Sequence, residues 1–465
     1  MTELFDFSTF WDNIALHTDT GEELTYGQLQ TDSDRLKGYL YKGKLAFCLC
    51  TNSIASIVGY VALVQKGVAT VLLDANKDFE LLDNLLTIYH PHYVWAPQGR
   101  KLGKVLCDYQ GYSLYEYSKE ELNIHPELSL LLTTSGSTGS PKLVRLTQNN
   151  LRHNAESIAK YLHITSEERP VTSLPMYYSY GMSVINSHFV KGATLLLTDK
   201  TVLERDFWDF VKSEHATSIA GVPYTYEMLK RLRFFRMDLP DLKTMIQAGG
   251  KLNANIVKEY LEYAHSCGKE FIVMYGQTEA APRMSYLPFD RALEKFSSIG
   301  VAIPGGQFFI RDGNDNDIET PDTDGELVYM GENVCMGYAE TPDDLAKGDE
   351  NHGILHTGDV ARKDADGYYY ITGRMKRFVK IWGNRVNLDA IEQLIKPITA
   401  DCACVGEDDR IIVYITDDRF SQEIKSYLSK KTGLNNQAFC VRIIQDIPKK
   451  VSGKIDYALL SSFIQ

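Results

Sequence analysis

The chain has 465 residues, more than one ordinary hydrophobic core organises, so two or more domains are expected. Apolar residues make up 44% and charged residues 24%, the balance of a soluble globular protein. The net charge is −12 with no basic stripe or Lys/Arg block, which argues against a nucleic-acid surface, since backbone binding needs clustered cations.

The opening "MTELFDFSTFWDN" is acidic and mixed, without a basic stretch followed by an apolar core, so no secretory leader is expected. No apolar run reaches the roughly 18 residues of a membrane helix, and a cytoplasmic location is expected. Next, "ELTYGQLQTDSDRLKGYL" places Tyr26, Leu29, Leu36 and Leu40 near helical spacing. "KLAFCLC" is a buried-strand run. "SIASIVGYVALVQKG" is an apolar helix with Ser53 at its start and Gly67 just past its end. "VATVLLD" predicts a strand, "DFELLDNLLTIYH" a helix and "YVWAP" a strand, a βαβα rhythm that points to an α/β fold with mostly parallel strands. The eight cysteines are scattered. The pairs Cys48/Cys50 and Cys402/Cys404 each fall on one face of a strand, and no C-x-x-C or His cluster accompanies them, so reduced thiols are expected.

The segment "TTSGSTGSPKL", Thr133 to Leu143, is rich in hydroxyls and glycine and carries one cation. It is not a P-loop. Gly136 and Gly139 are too close, Pro141 precedes Lys142, and "LSLLLTT" before and "KLVRL" after both read as strands, with no helix directly behind. Backbone N–H groups and rotating hydroxyls in such a loop can still wrap a phosphate. A polar hairpin would explain the same residues.

The chain's end has shorter elements. "ACVGEDDRIIVYITDD" predicts a hairpin, "SQEIKSYLSKKTG" a helix and "FCVRIIQDIP" a last strand. A small α+β domain follows, with the boundary near Arg374–Arg377: residues 1–375 form one domain and residues 376–465 the other.

"TTSGSTGSPK" resembles the signature of the adenylate-forming superfamily, which holds acyl-CoA synthetases, adenylation domains and beetle luciferases. The other motifs follow in order: "MYGQTEAAP" (Met274–Pro282), "GELVYMGENVCMGY" (Gly325–Tyr338), "HTGDVARKDADGYYYITGR" with Thr357–Asp359, "GRMKRFVKIWGNRVNLDAIE" and "IPKKVSGKIDYALL". Weaker matches at Leu24–Leu29 and Gly67–Asp74 extend the resemblance over nearly the whole chain. It implies a large N-terminal domain of parallel-rich sheets flanked by helices, plus a small β-barrel-like part, and a small mobile α+β C-terminal domain.

The resemblance implies a two-step reaction. A carboxylate attacks the α-phosphorus of ATP to give acyl-AMP and pyrophosphate, then a thiol takes the acyl group and AMP leaves. Catalysis is then mainly positioning and electrostatics. Thr134, Ser135, Gly136, Ser137, Thr138, Gly139 and Lys142 would hold the ATP phosphates. Leu143 stands where the family usually has glycine, which bears on the loop's freedom. Tyr275 would lie against adenine, with Gly249, Gly250 and Gly276 leaving room for AMP. Thr278 would donate to the α-phosphate and Glu279 would hold Mg²⁺. Asp359 would take the ribose hydroxyls, with Arg374 beside the ribose or phosphate. Lys454 would neutralise charge at the reacting centre, and a swing about Lys376 would bring the loop with Gly383 to a thiol tunnel.

"SLPMYYSYGMS" resembles the acyl-pocket region of the family, with Tyr178 where acyl-CoA synthetases often have His, followed by Ser179 and Gly181. Amino-acid-activating relatives usually carry Asp where Ser179 stands, so an α-amino acid is disfavoured. A small or aromatic acid is preferred over a long fatty acid. The expected acceptor is coenzyme A. The alternative is a phosphopantetheine carrier protein, which would be a separate partner. A catalytically dead adenylate-binding protein is disfavoured because Lys454, Glu279 and Asp359 are all present. No nucleic-acid or membrane partner is expected.

Overall fold

The computed structural model describes residues 4–76, 79–133, 142–381, 384–407, 409–432, 434–450 and 454–464. The chain divides into two compact units, one of Met1–Gln307 with Tyr329–Leu355 and the other of Phe308–Val328 with His356–Gln465. The sequence-derived border at 375/376 lies inside the second unit.

The first unit is built on two large sheets. In the eight-stranded sheet the apolar runs Leu45–Cys50, Ala69–Asp74, Tyr93–Pro97 and Leu128–Thr133 pair in parallel, with antiparallel strands at both edges. Burial on both faces explains why these strands read as continuous apolar runs rather than as alternating ones. The crossover helix Ile54–Lys66 starts with the Ser53 side chain accepting from the Ser56 N–H and ends at Gly67 in the left-handed conformation (φ 72°). Its first eleven residues are all buried. Cys48 and Cys50 point into the same core cluster, as strand alternation requires.

The nine-stranded sheet has a parallel centre: Glu270–Gly276, Thr244–Gln247, Ser218–Gly221, Pro170–Val171, Leu195–Leu197 and Ile14–Thr18. Arg283–Tyr286 turns back antiparallel along Glu270–Gly276. Ligand sites of open α/β sheets form where the carboxyl ends of such strands are extended by loops. Here Gly249 and Gly250 follow Thr244–Gln247, and Gln277 to Pro282 follow Glu270–Gly276.

In the second unit, Cys402–Glu407 and Arg410–Ile415 form the expected hairpin, and Phe439–Ile443 joins it in parallel. Alternation splits this sheet's side chains cleanly. Cys404, Ile411, Val413 and Ile415 pack with helices Leu388–Ile395 and Ser421–Thr432, while Ala403, Val405, Ile412 and Tyr414 pack with Leu460 of the last helix. The part expected to be barrel-like is a four-stranded sheet of Gly306–Arg311, Gly325–Gly331, Ile354–Lys363 and Tyr369–Arg374. No described helix is long and apolar enough to cross a membrane.

Candidate active site

The strands on either side of the Ser/Thr/Gly loop pair antiparallel, Leu128–Thr133 with Leu143–Thr147, so the loop joins two strands as its sequence indicates. Thr134, Ser135, Gly136, Ser137, Thr138 and Gly139 lie outside the described residues, as does Gly383. Lys142, the cation at the loop's end, reaches Glu340 at 2.6 Å and lies 5.7 Å from the Tyr338 ring centre. Lys142 and Glu340 are 55% and 56% exposed, so their ion pair is weak and readily exchanged for a stronger anion.

The Tyr338 hydroxyl donates to Glu279 Oε1 at 2.8 Å. Burial, reinforced by the Glu279 carboxylate, pushes the Tyr338 phenol well above its ordinary range, so it stays a donor. Glu279 is also held from its backbone, where its carbonyl accepts from the Cys335 N–H at 2.8 Å. These contacts tie "QTEA" to the end of "VCMGY", two motifs that the sequence separates by some sixty residues.

Thr278 Oγ1 lies 3.1 Å from Ser179 Oγ. Ser179 opens the helix Ser179–Phe189, capped by Tyr178 in extended conformation. The segments "YGQTEA" and "YYSYGMS" therefore meet at one pair of hydroxyls. Tyr178 packs over the turn at Gly249, where φ is +83° and an added Cβ would lie 2.7 Å from the Tyr178 hydroxyl. A side chain at Gly249 would be both strained and in collision. Gly181 lies under the preceding turn, 2.2 Å from the Pro175 carbonyl for an added Cβ. Tyr275 is half-buried at the end of its strand, where its hydroxyl accepts from Gln277 Nε2 at 3.3 Å. The strand register shifts between Tyr275 and Gly276, and a Cβ at Gly276 would overlap the Pro282 carbonyl at 1.9 Å. Gly250 is less constrained, with Pro223 Cγ at 3.2 Å from an added Cβ.

Asp359, Arg374, Lys376 and Lys454 belong to the second unit. Asp359 is 4% exposed, and its carboxylate meets Arg374 Nε at 3.0 Å across the pair Ile354–Lys363 and Tyr369–Arg374. The backbone around it is fixed: the Asp359 N–H donates to Thr357 Oγ1, whose own hydrogen goes to the Leu327 carbonyl at 2.6 Å. Lys376 sits in the single turn Met375–Arg377, and its side chain lies outside the described residues. Lys454 is exposed, and its carbonyl accepts from the Lys450 N–H at 2.8 Å.

Sequence reasoning assigned no role to Tyr338, Glu340, Ser183 or Arg283. Tyr338 closes a quoted motif, which was the available signal. Arg283 carried none, because a single arginine after "TEAAP" reads as surface charge until the fold buries it. Among the described residues no group of three His, Cys, Asp or Glu is arranged to hold a metal ion. Glu279 offers one hard carboxylate, which suits a Mg²⁺ that arrives with nucleotide phosphates.

The profile of a family described as AMP-binding enzyme matches residues 7–339. Among curated proteins the chain is 30% identical over 295 residues to a feruloyl-CoA synthase of Amycolatopsis sp, covering 61% of this chain and 57% of that protein. It is 29% identical to a 4-coumarate-CoA ligase 1 of Narcissus pseudonarcissus over 94% of this chain and 88% of that one. The o-succinylbenzoate CoA synthetase of Bacillus subtilis, in complex with an acyl-adenylate intermediate, superposes with a TM-score of 0.78 at 19% identity, covering 98% of this chain and 97% of that one.

Proposed function

The chain belongs to the AMP-binding enzyme family, and from that premise we propose that it is an ATP-dependent acid–thiol ligase that makes an acyl-adenylate and passes the acyl group to coenzyme A. The observation that carries this reading is the Thr278–Ser179 contact at 3.1 Å, which joins the nucleotide motif to the first turn of the acid-pocket helix. The relatives' names, a feruloyl-CoA synthase and a 4-coumarate-CoA ligase, support coenzyme A as the acceptor.

In the first step a carboxylate oxygen of the acid bonds to the α-phosphorus and the bond to pyrophosphate breaks. Thr278 donates its hydroxyl hydrogen to an α-phosphate oxygen, and Ser179 orients that hydroxyl. Tyr275 provides the flat face for adenine. Thr134 to Gly139 and Lys142 hold the β- and γ-phosphates, with Lys142 giving up Glu340 to do so. Mg²⁺ held by Glu279 would offset phosphate charge when the nucleotide is bound. From the second unit, Asp359 accepts the ribose hydroxyls, Arg374 keeps its carboxylate in place, and Lys454 brings an ammonium to the charge that gathers at phosphorus. In the second step the thiol sulfur bonds to the acyl carbon, the thiol proton is lost and AMP departs. Residues 376–465 move between the steps, with Lys376 as the pivot and Gly383 at the thiol entrance.

The test is acid-dependent pyrophosphate release across a panel of carboxylic acids with ATP and Mg²⁺, followed by mass detection of thioester on coenzyme A or on a holo-carrier protein. Pyrophosphate release with a coenzyme A thioester is expected. Thioester on the carrier protein alone would change the acceptor, and release with no acid at all would overturn the reading.

A further inference from the structure

Two arginines are among the largest fully buried side chains of the first unit, and they are satisfied very differently. Arg145 meets the Glu350 carboxylate and the carbonyls of Met336, Tyr338, Lys347 and Gly348. Arg283 is 2% exposed and has no ion pair among the described residues. Its Nη1 points at the Met274 sulfur, to which the Tyr161 hydroxyl also donates at 2.8 Å, its Nη2 donates to Ser183 Oγ at 3.2 Å, and its Nε has no hydrogen-bond partner among the described residues. The face of the guanidinium lies 4.0 Å over the Tyr180 ring. A guanidinium has five N–H donors in a fixed fork and no means of becoming neutral. Here thioether, hydroxyl and π face stand in for the anion that a buried cation requires.

The position of this cation limits the anion. Arg283 pairs with Gly276 across the strands, next to Tyr275. Ser183, which it touches, lies one helical turn beyond Ser179, the partner of Thr278. The four residues from Ser179 to Ser183 rise about 6 Å along the helix axis. An acid whose reacting carboxylate sits at Thr278 and Ser179 would therefore carry a second group to Arg283 only if it were short.

We propose that Arg283, with Ser183, receives a second carboxylate on the substrate, so that the protein activates short dicarboxylic acids of about three to five carbons. This rests on the ligase reading above. Arg283 is a specificity-determining residue here: it takes the distal carboxylate through its fork while Tyr180 holds the guanidinium flat. An uncharged acid of the same length would leave the cation buried and unpaired, which disfavours its binding.

The test compares malonate, succinate and glutarate with propionate, butyrate, valerate and monomethyl succinate in pyrophosphate release by the full chain. The expected preference of kcat/KM for a diacid over its uncharged match is at least about 100-fold. Arg283→Gln should abolish that preference, and Arg283→Lys, which keeps charge without the fork, should restore part of it. Because a variant could fail to fold, the comparison of succinate with its monomethyl ester on the unaltered protein stands by itself. Turnover with equal rates for diacids and their uncharged matches would overturn this inference and leave the ligase reading intact. A diacid preference that survives in Arg283→Gln would overturn the role of Arg283. Turnover of none of these short acids alongside release with an aromatic acid would also overturn this inference alone, whereas release with no acid of either kind would overturn the ligase reading and this inference with it.

Discussion

Lys454 shows what a residue contributes when its backbone is pinned and its charge is carried outward. A short antiparallel bridge between Lys449 and Ile455 and the Lys450–Lys454 backbone bond at 2.8 Å fix the main chain, while the side chain is exposed. Lys454→Ala should lower acid-dependent pyrophosphate release on the order of 10²–10³-fold, the usual loss when one group aimed at transition-state charge is removed. Thioester formation from a supplied acyl-adenylate should fall only a few-fold. Equal losses in the two assays would place Lys454 outside the first step. At this scale the sequence shows motif residues and hides their partners. Thr278 and Glu279 can be picked out from their motif, but nothing local says that Thr278 will touch Ser179 or that Glu279 will accept from Tyr338. Arg283 is the extreme case, since its importance comes from burial, which is a property of the folded chain.

At the scale of elements, strands and helices are largely legible and their neighbours are not. The apolar runs "AFCLC" and "ATVLL" are strands, and the βαβ rhythm correctly implies parallel pairing. Sheet order depends on contacts between distant segments, such as Ala69–Asp74 beside Leu128–Thr133, and no local pattern specifies it. The helix Ser179–Phe189 is buried along its whole length, so its sequence lacks the polar stripe of a surface helix. His188 near its end is fully buried, with Nδ1 2.7 Å from the Val184 carbonyl, and burial lowers its pKa from 6.5 to about 4. The folded value lies below the unfolded one, so the neutral ring favours the fold. That stability is complete above about pH 6.5 and is lost as pH falls toward 4, a difference of about 3 kcal/mol. His188→Gln should lose less stability over this window. Urea unfolding of both proteins at pH 7 and at pH 4.5 measures the difference, and parallel losses would rule His188 out as the source.

At the scale of the whole molecule the proposed chemistry needs two stages, with Lys454 engaged in the first and withdrawn for the second. The second unit carries anchors on both sides of the proposed pivot. Before it, Arg374 pairs with Asp359 at 3.0 Å on the four-stranded sheet. After it, Arg377 is tied to Asp389 at 3.0 Å and to Glu392 at 2.7 Å, and its guanidinium lies 3.6 Å over the Tyr457 ring. Tyr457 in turn donates to the second Glu392 oxygen at 2.9 Å. Tyr457 is three residues past Lys454, so these contacts link the start of the C-terminal segment to the stretch that bears the lysine. Met375 and Lys376 lie between the two anchors, in the single turn Met375–Arg377, the kind of short connecting position that absorbs a change of backbone angles. Proline at 376 fixes φ near −65° and removes one N–H. Lys376→Pro should therefore keep pyrophosphate release within a few-fold and lower thioester formation by about 100-fold or more, consistent with a pivot needed only between the steps. A thermal melt close to that of the unaltered protein would confirm that both units remain folded. Equal losses in both half-reactions with an unchanged melt would show that the turn at 376 serves the first step as much as the second, and the pivot would have to lie elsewhere.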